Sequence, residues 1–286
     1  MGAIFGPAGN SQAFYDAGYK ATIQAFAWLE EMGLDAYEYQ CGRGVRVTEE
    51  TAAALAAEAK QHHIALSLHA PYYISLASVD EAKRENSVRY ILESGRAVTR
   101  LGGSRIVVHP GGLNGRSREE ATRVAMDTLA EAQRALDEEG LHQVHICPET
   151  MGKINQLGDL EEVLRMCEVD ERFLPCIDFG HMNSRTHGGM NSTSAFAVLL
   201  DTLHDRLGEE RARRFHAHFS KIEYSAGGEK LHLTFADTLF GPQPEPLMEL
   251  IARRRLSPVV ICESAGTQAA DARIMKTLYE QASAGR

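Results

Sequence analysis

Residues 105–149 decide the fold. Arg105-Ile-Val-Val-His109 is a short apolar run, and Pro-Gly-Gly follows at 110–112. Ser117-Arg-Glu-Glu120 has the spacing of a capping box, and Gly140 closes the segment that it opens. Between them Ala121, Val124, Ala125, Thr128, Leu129, Ala132 and Leu136 recur at helical spacing. Val144–Pro148 is the next apolar run and ends against Glu149. Strand, helix and strand within one such interval form a parallel βαβ unit.

The same rhythm extends in both directions. Further strands read at Ala3–Gly6, Ala36–Gln40, Ile64–His69, Pro175–Asp178, Phe215–Phe219 and Val259–Glu263. Helices read around 12–32, 48–62, 158–167, 192–206, 244–254 and 268–282, and across Val88–Val98 before Leu101-Gly-Gly103. Eight strands alternating with eight helices predict an α/β fold, a (β/α)8 TIM barrel spanning 1–286 as one domain. The rival is an open doubly wound sheet, but its GxGxxG turn after the first strand is absent.

Bulk properties narrow the class. The chain has 286 residues, 44% hydrophobic and 24% charged, which excludes a disordered or fibrous protein. No charge-free window reaches membrane-spanning length, and the N-terminus does not read as a secretory leader. Five cysteines without a CxxC pair read as free thiols, so a cytoplasmic location is expected. A net charge of −9 argues against coating nucleic acid by bulk charge, although a local basic groove is compatible with it.

Chemistry concentrates where strands end. The runs terminate at His69, His109, Glu149, Asp178 followed by His181, His216 with His218, and Glu263. In a barrel these ends open on one face, so the side chains converge. One such histidine alone is more often structural than a ligand. Several imidazoles and three carboxylates packed together without a cation would instead repel and lack solvation. Mixed imidazole and carboxylate donors suit zinc, with manganese also compatible, and their number exceeds what one ion needs. Two or three ions are expected, a cluster able to clamp the attacking and leaving oxygens of a phosphoryl group.

These motifs resemble the endonuclease IV family, zinc-dependent apurinic/apyrimidinic endonucleases of the xylose-isomerase-like barrel superfamily. The likeness rests on His69-Ala-Pro-Tyr72, His109-Pro-Gly111, Glu149 in Pro-Glu-Thr-Met-Gly-Lys, Asp178-Phe-Gly-His181, His216 with Lys221, and Glu263. It implies zinc-dependent hydrolysis of the DNA phosphodiester 5′ to abasic sites, with damaged double-stranded DNA as partner, no membrane and no obligate protein partner. It also implies that His69, His109 and Glu149 hold a first ion, that Glu149, Asp178, His216 and Glu263 hold a second, and that His181 helps hold a third. Glu149 or Glu263 would orient the attacking water.

Two regions depart from the family pattern. The Asp-x-His that completes the third site is replaced by Glu229-Lys-Leu-His232, and His218 competes with His216 for the second site. The Asn-Pro-Arg of the DNA-entering loop is replaced by Gly42-Arg43-Gly-Val-Arg46. Arg43 and Arg46 are suited to phosphates, and Tyr72 to stacking on a base beside the lesion. Gln156 reads as an exposed loop amide, and Arg253–Arg255 as a solvated helix end on the opposite face. The alternatives are a single-metal sugar isomerase or epimerase, for which Glu149, Asp178, His216 and Glu263 would suffice, and a catalytically degenerate metal-binding homologue. His69 and His109 discriminate, because a one-ion enzyme does not need them.

Overall fold

A computed structural model describes residues 2–285. Its centre is a ring of short parallel strands: β1 (Ile4–Pro7), β2 (Ala36–Gln40), β3 (Ala65–His69), β4 (Arg105–Val108), β5 (His145–Pro148), β6 (Cys176–Asp178), β7 (His216–Phe219) and β10 (Val259–Cys262). Two four-stranded sheets, β2-β3-β4-β5 and β6-β7-β10-β1, form its walls. Parallel bridges between Ala8 and Glu38 and between Glu149 and Cys176 join them at both seams. The result is the expected eight-stranded TIM barrel.

The β1–β2 seam depends on a residue without a side chain. A Cβ on Gly6 would lie 1.7 Å from the Ala36 carbonyl oxygen, so only glycine lets these strands meet.

Helices cover the barrel: α1 (Gln12–Asp16), α2 (Ala25–Glu31), α3 (Glu49–Gln61), α4 (Glu81–Arg100), α5 (Arg118–Glu138), α6 (Leu160–Cys167), α7 (Phe179–Arg185), α8 (Thr193–Arg213), α9 (Glu245–Arg253) and α10 (Gln268–Ala284). In α5 the predicted face is the buried one, with Ala121, Ala125, Leu129, Ala132 and Leu136 inaccessible to solvent. Ser117 Oγ accepts from Glu120 N at 3.2 Å, but Glu120 pairs with Arg116 instead of returning to the backbone, so half of the capping box forms. The complete box belongs to Asp159 and Glu162 at the start of α6.

Several boundaries differ from the periodicity reading. The segment 12–32 is two helices, separated by a loop in which Gly18 has φ +93°. Helix α4 begins seven residues before Val88, because Asp80 caps it by accepting from Ala82 N. Three elements were not foreseen: α7, directly after β6, and the antiparallel hairpin of β8 (Lys221–Ser225) with β9 (Gly228–Leu233), after β7. Among the described residues no helix is long and apolar enough to cross a membrane, and all five cysteines are free and buried.

Candidate metal centre

The alternation along each strand sends every second side chain into the barrel. At the C-terminal mouth this brings together His69 of β3, His109 after β4, Glu149 after β5, Asp178 of β6, His218 of β7 and Glu263 after β10. Helix α7 and β9 add His181, Glu229 and His232. His69, His109, His181, Glu229, His232 and Glu263 line a polar cleft of about 330 Å³ together with Tyr72, Met151, Lys153 and Gln156, and Glu149, Asp178 and His218 are wholly buried.

Three donor groups gather at this end of the barrel, two of them overlapping. In each, one ligand atom per residue lies within 4.8 Å of all the others: His69, His109 and Glu149; Glu149, Asp178, His218 and Glu263; His181, Glu229 and His232. Glu149 belongs to two of them, with Oε2 2.9 Å from His109 Nε2 and Oε1 3.2 Å from His218 Nδ1.

The backbone orients the imidazoles. His69 Nδ1 donates to the Ala70 carbonyl at 2.9 Å, and His181 Nδ1 donates to the Thr150 carbonyl at 2.9 Å. That leaves Nε2 of each ring as a bare lone pair. His69 Nε2 and His109 Nε2 then face one another at 3.2 Å. His232 Nδ1 is 2.8 Å from Ser220 Oγ, which turns its Nε2 toward Glu229. Asp178 caps α7 by accepting from His181 N through Oδ1 at 2.7 Å, which fixes the Asp-x-x-His geometry.

The charges are out of balance without a cation. Burial raises the Asp178 carboxyl to about 6; His181 opposes the shift, and Glu263 and Glu149 add to it. Burial also disfavours ionised Glu149 and Glu263, but His109 and His218 hold the first well below its ordinary value, and His218 holds the second at about 2. Glu149 Oε2 and Asp178 Oδ2 are buried and, although His109 Nε2 lies 2.9 Å from the first and His181 Nδ1 3.2 Å from the second, neither contact has the geometry of a hydrogen bond. Unsatisfied buried carboxylate oxygens beside bare ring nitrogens are what divalent cations satisfy, so this donor set fits metal ions.

His216 is not where the motif reading expects it. Its Nε2 donates to Glu38 Oε2 at 3.0 Å, one layer below the cleft, and burial lowers its pKa to about 4. His218, two residues on along β7, stands in the four-residue group instead. Depth along the strand explains the exchange. Both rings point inward, and only the second reaches the layer of Asp178, its register partner on β6.

Glu229 and His232 do meet His181, and Tyr72 sits on the rim. The Tyr72 ring lies 5.2 Å from that of His69 and 5.3 Å from that of His109. Burial of its inner edge and Glu263 push its hydroxyl up to about 12, although 57% of the residue is exposed. Arg43 and Arg46 are exposed and line an adjoining groove with Tyr39 and Tyr72. Gln156 is not an exposed amide: it is half-buried, and its Oε1 is buried without a partner. Arg253 and Arg254 pair with Glu249 and Asp201 away from the site.

Sequence reading missed Glu38. Tyr37-Glu-Tyr-Gln40 carried the signal, because alternation that turns both tyrosines outward turns a wholly buried carboxylate inward.

Residues 26–280 match the family model described as xylose isomerase-like TIM barrel, and the chain belongs to that family. It is 34% identical over 263 residues to the uncharacterized protein MJ0133 of Methanocaldococcus jannaschii, covering 91% of each chain. It is 28% identical over 210 residues to a probable endonuclease 4 of Mycoplasma pneumoniae, covering 71% of this chain and 69% of the other. Among solved structures, endonuclease IV from Thermus thermophilus superposes with TM-score 0.65 at 20% identity, over 91% of this chain and 94% of the other. A D-tagatose 3-epimerase-like protein superposes with TM-score 0.68 at 19% identity, over 88% and 90%. The resemblance to endonuclease IV read from the motifs is thus borne out, and the epimerases share the fold.

Proposed function

We propose that this protein is a zinc-dependent endonuclease that hydrolyses the DNA phosphodiester 5′ to abasic sites. One observation carries this reading: three donor groups gather at one end of the barrel, where a one-ion enzyme needs only one. Relatives named as probable endonuclease 4 support it at the level of sequence. His69, His109 and Glu149 would hold one ion, Glu149, Asp178, His218 and Glu263 a second, and His181, Glu229 and His232 a third. Divalent ions there supply Lewis-acid stabilisation of phosphoryl oxygens and make water a better nucleophile at neutral pH.

The remaining steps belong to side chains. Glu149 and Glu263 accept hydrogen bonds from the attacking water and align it for in-line displacement. Lys153 and the exposed Arg43 and Arg46 bind flanking phosphates. Tyr72 stacks on a base at the lesion.

A second reading has its own observation. Glu149, Asp178, His218 and Glu263 alone form a complete single-ion site of two Glu, one Asp and one His, the set that suits a sugar epimerase. Elemental analysis together with cleavage of an abasic-site duplex decides between them. Two or three zinc ions with cleavage support the endonuclease; one ion without cleavage overturns it in favour of the epimerase.

A further inference from the structure

Beneath the cleft, in the next layer down the barrel, lies a carboxylate that takes no part in the reaction just described. Glu38 sits on β2, separated from β7 around the ring by β1 and β10, and reaches across the interior. It is wholly buried, as are His216 and His218. Oε2 accepts from His216 Nε2 at 3.0 Å and from Ser67 Oγ at 3.1 Å. Oε1 accepts from Gln40 Nε2 at 3.3 Å and lies 3.1 Å from His218 Nε2, a buried nitrogen that makes no hydrogen bond to any other group. The opposite edge of the His218 ring, Nδ1, is 3.2 Å from Glu149 Oε1 and 3.4 Å from Glu263 Oε2.

We infer that Glu38 is a positioning residue that keeps the proton of His218 on Nε2 and presents Nδ1 to the ion shared by Glu149, Asp178 and Glu263. The inference rests on reading those four residues as a metal centre. Its physical basis is that Glu38 holds a proton at Nε2 against the carboxylates that face Nδ1, so an ion binding beside Glu149 and Glu263 meets Nδ1 as the donor. His216, Ser67 and Gln40 fix the carboxylate in turn, so its position does not depend on the ion. This also gives His216 a role: it takes the second oxygen of Glu38 and stops the carboxylate from rotating away.

The same layer admits a competing arrangement. Cys176, His216 and His218 place one ligand atom each within 4.8 Å of one another, which would suit a separate buried ion. An ion bound there through His218 Nε2 would take the nitrogen that faces Glu38, so the two arrangements compete.

Glu38→Gln preserves shape and removes the charge, and Glu38→Ala removes both. The expected result for Glu38→Gln is a loss of zinc affinity of about 10–100-fold at one centre. Uptake by the His69–His109–Glu149 group and the thermal midpoint should stay near wild type. A second readout needs no metal. In nitrogen-15 spectra of the zinc-free full chain, His218 Nε2 should be protonated in wild type, and in Glu38→Gln the proton should shift to Nδ1, which faces Glu149 and Glu263. Wild-type affinity in Glu38→Gln, or a bare Nε2 in the wild-type spectrum, overturns the inference. Loss of one ion in Cys176→Ser overturns it in favour of the separate buried site. If wild type takes up no ion at this centre, the metal reading fails, and the spectra still decide what Glu38 does. Failure to cleave abasic DNA with the spectra and affinities as expected removes the endonuclease reading alone.

Discussion

Glu229 and His232 face the same side of β9 although they are three positions apart, because Lys230 bulges out between them. On the facing strand Glu223 pairs with Leu231 and the next residue, Tyr224, pairs with Glu229, so Lys230 has no opposite number. In a regular strand residues three apart point to opposite faces, and one extra residue restores the match. Both side chains thereby reach His181. Glu229→Ala and His232→Ala should each lower the zinc content by one ion and reduce cleavage. Deleting Lys230 should do the same with both ligands still present. Full metal content in the deletion variant would show that the bulge does not build this site.

The exchange of His216 for His218 is tested by metal counting. His218→Ala should lose the ion held with Glu149, Asp178 and Glu263. His216→Ala should retain the full count, because that ring faces Glu38. The opposite pattern would restore the assignment taken from the family motif.

Legibility followed the physics of each signal. The βαβ rhythm was readable because the apolar face of α5 and the runs of β4 and β5 are set by burial alone. The convergence of His69, His109, Glu149, Asp178 and Glu263 was readable because each ends a strand, where the barrel makes side chains converge. The choice between His216 and His218 was not, since both have inward parity and only the depth of β7 relative to β6 separates them. Helix α7 was hidden because its seven residues bury nearly all round and show no period. The bulge at Lys230 is a property of pairing with β8, and no single strand encodes it.

Gly6 should tolerate no side chain. A methyl group there would overlap the Ala36 carbonyl at the seam that closes the barrel. Gly6→Ala should cost about 3 kcal/mol, read as a lower urea midpoint, in the range for overpacking that backbone cannot relieve. Gly18→Ala is the comparison: nothing lies within 4 Å of its Cβ position, so its cost should come only from its positive φ.

Acid should erase one contribution to stability. Asp137 Oδ1 and Oδ2 receive Arg172 Nη1 and Nη2 at 2.5 and 3.0 Å, and Arg172 holds the carboxyl well below its ordinary value. A depressed native pKa stabilises above the unfolded value of about 3.9 and loses that effect as pH falls through the native value. Both side chains are about one-third exposed, so solvent limits the contribution to about 1 kcal/mol. Asp137→Asn should therefore be less stable than wild type at pH 7, and the two urea curves should converge toward strong acid. A difference that stays constant with pH would assign the loss to something other than this charge.

The rim should separate general from lesion-specific contacts with DNA. Arg43 and Arg46 are exposed beside the groove, and among the described residues neither has an ion-pair or hydrogen-bond partner. Cations left unpaired next to a cleft are free to meet phosphates. Each phosphate contact contributes about 0.9 to the slope of log affinity against log salt. Arg43→Ala and Arg46→Ala should each lower that slope by about one, on intact and abasic duplexes alike, without changing the zinc content. The Tyr72 ring lies beside those of His69 and His109, with more than half of the residue exposed, and so offers a stacking face. Stacking a base on such a ring is worth about 1–3 kcal/mol. Tyr72→Ala should therefore weaken binding to the abasic duplex about tenfold or more and leave intact duplex unaffected, whereas Tyr72→Phe should bind as wild type does. Equal losses on both duplexes would make Tyr72 a general contact, and no loss on either would leave it a packing residue of the rim.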